Sequence, residues 1–71
     1  MAKTKGRTNL KLLRVKQGLT QEEMAALIGC SRGAYLAIES GQRNARNIFW
    51  VSIKRIFPTA NIEELKKVDE D

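Results

Sequence analysis

The side chains here that can do chemistry are hydrogen-bond donors set on short segments, not acid–base pairs. Histidine is absent and Cys30 is the lone cysteine, so no transition-metal site is expected. No phosphate-cradling glycine loop and no nucleophile beside a base can be found. The chain is therefore not expected to be an enzyme, and no cofactor is implied. What stands out instead is Arg32, whose planar fork matches paired acceptors such as O6 and N7 of guanine. Four residues on, Leu36 can meet an apolar group such as a thymine methyl. Gln21 opens a helix, where free amides and the positive dipole end attract anions. Arg43, Asn44, Arg46 and Asn47 form a second donor cluster further along. For any one of these, a solvated surface role is an equal alternative. As a set flanking one segment they favour a polyanion.

The elements that must position these groups lie between residues 20 and 41. Thr20 and Glu23 have capping-box spacing, and Leu19 and Met24 stand where a hydrophobic staple would. Gly29 stops this helix, Ser31 caps a second and Gly41 ends it. A helix, a tight turn and a second helix make a helix-turn-helix, whose second helix can lie in a DNA major groove. At 100° per residue, Ala34, Tyr35 and Ile38 share the core side of that helix. Arg32, Gly33, Leu36, Ala37 and Ser40 share the other side. It is short of charge for a solvated face and sensible for a groove-facing one, though a plain amphipathic helix is the alternative. Gly33 costs the helix about 1 kcal/mol relative to Ala but lets backbone come close to a base or phosphate.

Around this motif the pattern predicts an all-α bundle of four to five short helices. The first spans 9–17, with Thr8 or Asn9 as cap and Leu10, Leu13, Arg14 and Gln17 on one face. The others span 21–28, burying Met24, Leu27 and Ile28, then 32–40, and 45–57 with Asn44 as candidate cap. Pro58 forces an end to the fourth, and a short helix follows Asn61. Phe49, Trp50, Ile53, Ile56 and Phe57 make an ordinary core arc. Ile48 and Val51 fall outside it and, with Ile62 and Leu65, predict a self-association surface. Stray surface apolars on a monomer are the alternative.

Charge divides the chain. The net charge is +5 over 71 residues. Residues 1–17 carry six basic groups, Lys3, Lys5, Arg7, Lys11, Arg14 and Lys16, and no acid. Residues 1–7 read as a flexible basic arm, 8–66 as the DNA-binding domain and 67–71 as a disordered acidic tail. In the arm, Lys3, Lys5 and Arg7 suit a polyanion, or a tail that only keeps the protein soluble. No apolar stretch approaches membrane length, and residues 1–9 have no apolar core of a secretory signal. A single cysteine fits a reducing cytoplasm, and Cys30 reads as packing in the turn rather than redox chemistry.

The segments LKLLRVKQGLTQEEMAALIGCSRGAYLAIESGQRN and IEELKK are similar to the Cro/phage-repressor (XRE-type) helix-turn-helix family, a likeness covering about four-fifths of the chain. It implies a lambda-repressor-like bundle and a dimeric transcriptional regulator that binds double-stranded DNA at paired half-sites. Residues matching the base-reading positions are Ser31, Arg32, Gly33, Leu36 and Ala37. Phosphate contacts fall to Gln21, Ser40, Arg43, Asn44, Arg46 and Asn47. The resemblance also pairs Arg14 with Glu39 in a structural salt bridge. The chain departs from the family pattern at Gly33 and Ala37, where polar readers are common, and in the apolar, aromatic run NIFWVSIKRIF. A repressor on an inverted repeat is the function implied. A protein-interaction adaptor, antitoxin or controller-type partner on the same fold is the alternative.

Overall fold

Thr20 and Glu23 start the central motif as a closed capping box. The Glu23 amide donates to Thr20 Oγ1 at 3.0 Å and the Thr20 amide to Glu23 Oε1 at 2.8 Å. In the computed structural model, which describes residues 6–69, this box begins the second of five helices. They are α1 Thr8–Lys16, α2 Gln21–Ile28, α3 Arg32–Glu39, α4 Asn47–Ile56 and α5 Ile62–Lys66. Gly29 ends α2 at φ 94°, a left-handed conformation that costs a glycine little. Ser31 then caps α3 by accepting from the Ala34 amide at 3.1 Å. Among the described residues there is no strand, and no helix is long and apolar enough to cross a membrane.

The helices meet on a core of Leu10, Met24, Ala25, Tyr35, Ile38, Phe49, Trp50, Ile53 and Leu65. The Phe49 ring packs edge-on to Trp50 at 4.8 Å between centroids and stacks near Tyr35 at 6.2 Å. Helix α2 packs on α3 and α4, while α1 packs on α3 and α5. Helix α3 is therefore gripped from both sides.

Several expectations need correction. Helix α1 begins at Thr8 with neither Thr8 nor Asn9 as cap. The Thr8 hydroxyl donates to the Asp69 carboxylate, and Asn9 Nδ2 to the Glu64 carbonyl at 3.0 Å. Helix α4 starts at Asn47, so Asn44 is not its cap. Leu27 is 51% exposed, because α2 turns Met24 and Ala25 inward instead. Leu65 is core, not interface, since α5 folds back on α1 and α4. Arg7 is no arm residue: its side chain is 4% exposed. Residues 67–69 are not a loose tail either, because the Asp69 amide donates to the Gly6 carbonyl at 2.8 Å. Lys3 and Lys5 lie outside the described residues.

The capping box gives a first test. Thr20→Ala leaves the Glu23 amide without its acceptor and should cost about 1 kcal/mol of stability. Urea unfolding should show a lower midpoint with an unchanged slope.

Candidate nucleic-acid interface

The side of α3 turned from the core has little packed on it. Arg32 and Gly33 are exposed, while Leu36, Ala37 and Ser40 are half-buried. An ideal Cβ built on Gly33 would meet nothing within 4 Å, so no packing inside the chain demands glycine there. Gly33, Leu36, Ala37 and Ser40 line a groove of about 600 Å³ with Gln21 of α2 and Lys11 of α1. Thus five of the expected contact residues share one concavity: Gln21, Gly33, Leu36, Ala37 and Ser40. Arg7, expected in the arm, lines it too, with Gly6, Thr8 and Glu39; Lys11, Gln42 and Asp69 complete the lining and were not expected as contacts, while Ser31 and Arg32 lie outside it. Lys11 had a signal, since it precedes Arg14 by three residues and so lies on the face of α1 that reaches α3.

The loop cluster lies elsewhere. Arg43, Asn44 and Arg46 border a second cleft of about 220 Å³, beside Cys30 and Ile48. Asn44 and Asn47 border a third, with Trp50 and Lys66. Asn44 Oδ1 already accepts from Arg7 at 3.2 Å, which leaves its amide hydrogens as the donors for another group. Ser40 donates its hydroxyl hydrogen to the Ala37 carbonyl at 3.1 Å. Ser31 has its oxygen engaged as the α3 cap but keeps its hydroxyl hydrogen. Cys30 is partly buried, and burial pushes its thiol above the usual range, which makes it a poor nucleophile.

One carboxylate organises the groove floor. Glu39, 7% exposed, accepts from Arg14 Nε at 2.9 Å, Arg14 Nη2 at 3.4 Å and the Tyr35 hydroxyl at 2.7 Å. Gln21 Nε2 donates to it at 3.2 Å. Arg14 Nη1 also donates to the Leu19 carbonyl at 2.8 Å, so α1, the α1–α2 turn, α2 and α3 meet at one point. Gln21 therefore has one amide hydrogen committed and one left to face an anion. Burial alone would raise the Glu39 carboxyl. The hydrogen bonds from Arg14, Tyr35 and Gln21 and the Arg14 charge outweigh it, and the net shift is downward. Arg14 is raised, chiefly by its bond to Glu39. Burial, then the bond to Glu39, drives the Tyr35 phenol well above its ordinary range, so it stays a donor.

Because the folded carboxyl titrates below the ordinary value of 4.5, its contribution is full above that pH. It is lost as pH falls through the folded value. Stability should drop on acidification below 4.5, and Glu39→Gln should flatten that dependence while lowering stability at neutral pH. Arg14→Ala or Glu39→Ala alone should cost about 3–5 kcal/mol, because each strands a partner. A double-mutant cycle should show coupling; strict additivity would rule the pair out.

The helix-turn-helix family model matches residues 10–56, from α1 to the end of α4. An uncharacterized HTH-type transcriptional regulator of Archaeoglobus fulgidus is 35% identical over 65 residues, covering 92% of this chain and 91% of the relative. One of the same description from Methanothermobacter thermautotrophicus is also 35% identical, covering 92% of this chain and 94% of the relative. No solved structure gives a significant match. With the capping box, the left-handed glycine turn and the Ser31-capped helix inside the matched span, the chain belongs to the XRE-type helix-turn-helix family of DNA-binding domains.

Proposed function

We propose that this chain is a sequence-specific regulator of transcription, a cytoplasmic repressor that binds duplex DNA as a dimer on an inverted repeat. The observation that carries this reading is the groove beside α3. Gly33, Leu36, Ala37 and Ser40 of the eight-residue α3 line it with Gln21 of α2, and Arg32, outside that lining, is exposed at the start of the helix. A duplex can enter there with α3 in the major groove. Arg32 then forks onto a guanine edge, Leu36 and Ala37 meet apolar base surface, and the small Gly33 leaves room for backbone approach. Ser31 adds one hydroxyl donor. Gln21, Arg43, Arg46 and Asn47, with the amide hydrogens of Asn44, hold phosphates and set the register, and Ser40 joins them only by turning its hydroxyl from the Ala37 carbonyl. Lys3 and Lys5 add basic groups ahead of α1.

Dimerisation falls to Ile48 and Val51 on α4, with Ile62 at the margin. Ile48 is 65% exposed and Val51 41%, three residues apart on one side of the helix. One reading helix covers only a few base pairs, so two-fold pairing supplies the discrimination that one helix lacks. Ile48→Asp with Val51→Asp should leave the helical content intact. Sedimentation should show the variant as monomer where the wild type is dimer, and an unchanged mass would remove this surface from the account.

Binding to duplex DNA measured across salt concentrations tests the function itself. A regulator gives a steep negative log–log slope and strong preference for one site. Weak, sequence-blind binding would mark an adaptor instead. Within that assay, Arg32→Ala should cost about 1–3 kcal/mol per half-site and relax the preference at one symmetric pair of positions. Gln21→Ala should weaken every duplex alike.

A further inference from the structure

Arg7 is buried, borders both the α3 groove and the third cleft, and spends its charge inside the chain. Among the described residues no carboxylate pairs with it. Its donors go to oxygens from three separate stretches of chain. Nη1 reaches the carbonyls of Ile38 at 2.5 Å and Arg43 at 3.0 Å, and Nη2 reaches Asn44 Oδ1 at 3.2 Å. Nε reaches the Lys66 carbonyl at 3.3 Å. The Arg7 amide donates to the Glu39 carbonyl at 2.8 Å, and the guanidinium lies 5.9 Å from the centre of the Trp50 ring. The last carbonyls of a helix lack helical partners and hold partial negative charge. Arg7 answers this need at the ends of both α3 and α5.

The consequence falls on the loop between α3 and α4. The amides of Gln42 and Arg43 fold back onto the Ala37 carbonyl at 2.9 and 3.2 Å. Beyond them, among the described residues, the Arg43 carbonyl and the Asn44 side chain are held by Arg7 until α4 begins at Asn47. We infer that Arg7 is a positioning residue for DNA recognition: it locks this loop to the end of the reading helix and so places the Arg43 and Arg46 side chains against the backbone. The inference rests on the DNA-binding reading above. Lysine keeps the charge but presents a compact ammonium, and cannot reproduce a planar fork onto four acceptors.

Arg7→Lys in the full chain tests this, with amide exchange and duplex binding measured together. Without DNA, the variant should keep its helical signal while the amides of Gln42 and Arg43 exchange faster. Its affinity should fall roughly tenfold for specific and unrelated duplexes alike, the loss of about one charge-assisted contact. The salt slope should flatten by about one. In an Arg43→Ala/Arg46→Ala background, Arg7→Lys should change affinity no further. Equal losses in both backgrounds would overturn the inference, since Arg7 would then act directly or through global stability. Unchanged loop exchange would overturn it too. If Arg7→Lys does not fold, the wild type carries the test: the Arg7 Nε–H and the Gln42 and Arg43 amides must be protected before DNA is added, and lack of protection at those amides sinks the inference. A wild type that binds no duplex overturns the DNA-binding reading itself, while loop exchange still reports separately whether Arg7 holds the loop.

Discussion

Burying the Glu39 carboxylate is the constraint on which the other parts depend. A charge so placed is tolerated only with its lone pairs filled, and the fillers come from three helices: Arg14 of α1, Gln21 of α2 and Tyr35 of α3 itself. Each donor can reach Glu39 in only a narrow range of helix orientations, so the carboxylate specifies an angle that apolar packing alone would leave loose. It is also one residue away from Ser40 and the loop that follows. What fixes the core therefore fixes the groove, and Gln21 belongs to both.

A chain of 71 residues has a thin core, and polar ties here take over part of the work of packing. Glu39 closes one end of α3 through its side chain, while its carbonyl accepts from the Arg7 amide. The guanidinium of Arg7 gathers α3, the loop and the end of α5. Asp69 then joins the two ends of the described chain through Gly6 and Thr8. The Glu39 and Arg7 ties converge on the C-terminal end of α3, while Asp69, with Gly6 and Thr8, borders the groove along its outer side. Rigidity behind an open face is what a side chain needs to read a base edge, because a contact that must first be ordered loses affinity.

The central motif was legible because its signals are local. Thr20 with Glu23, Gly29 and Ser31 each act within a few residues, and each makes the bond or φ angle that its type and spacing predict. The Arg14–Glu39 pair was legible only through family resemblance, since 25 positions separate the partners and nothing local links them. Arg7 was misread for the opposite reason. It stands in a run of basic residues, and a charge count cannot distinguish a solvated cation from one wrapped in carbonyls 31 to 59 positions away. Leu27 and Leu65 show the limit of periodicity: the 3.6 repeat says which residues share a face, not which face finds a neighbour. At the site, the outer residues of α3 could be grouped by angle. Gln42 and Asp69 could not be placed, because their position depends on how the loop after α3 and the residues after α5 pack around α3.

Helix α3, held from behind, is proposed to read a defined sequence in duplex DNA. Selection of bound duplexes from a random pool by the intact chain addresses it most directly. The expected result is enrichment of one sequence built from two inverted half-sites, their centres about one helical turn, roughly 34 Å, apart. A pool from which the protein retains DNA without enriching any sequence, or one that converges on a single asymmetric site, would contradict it.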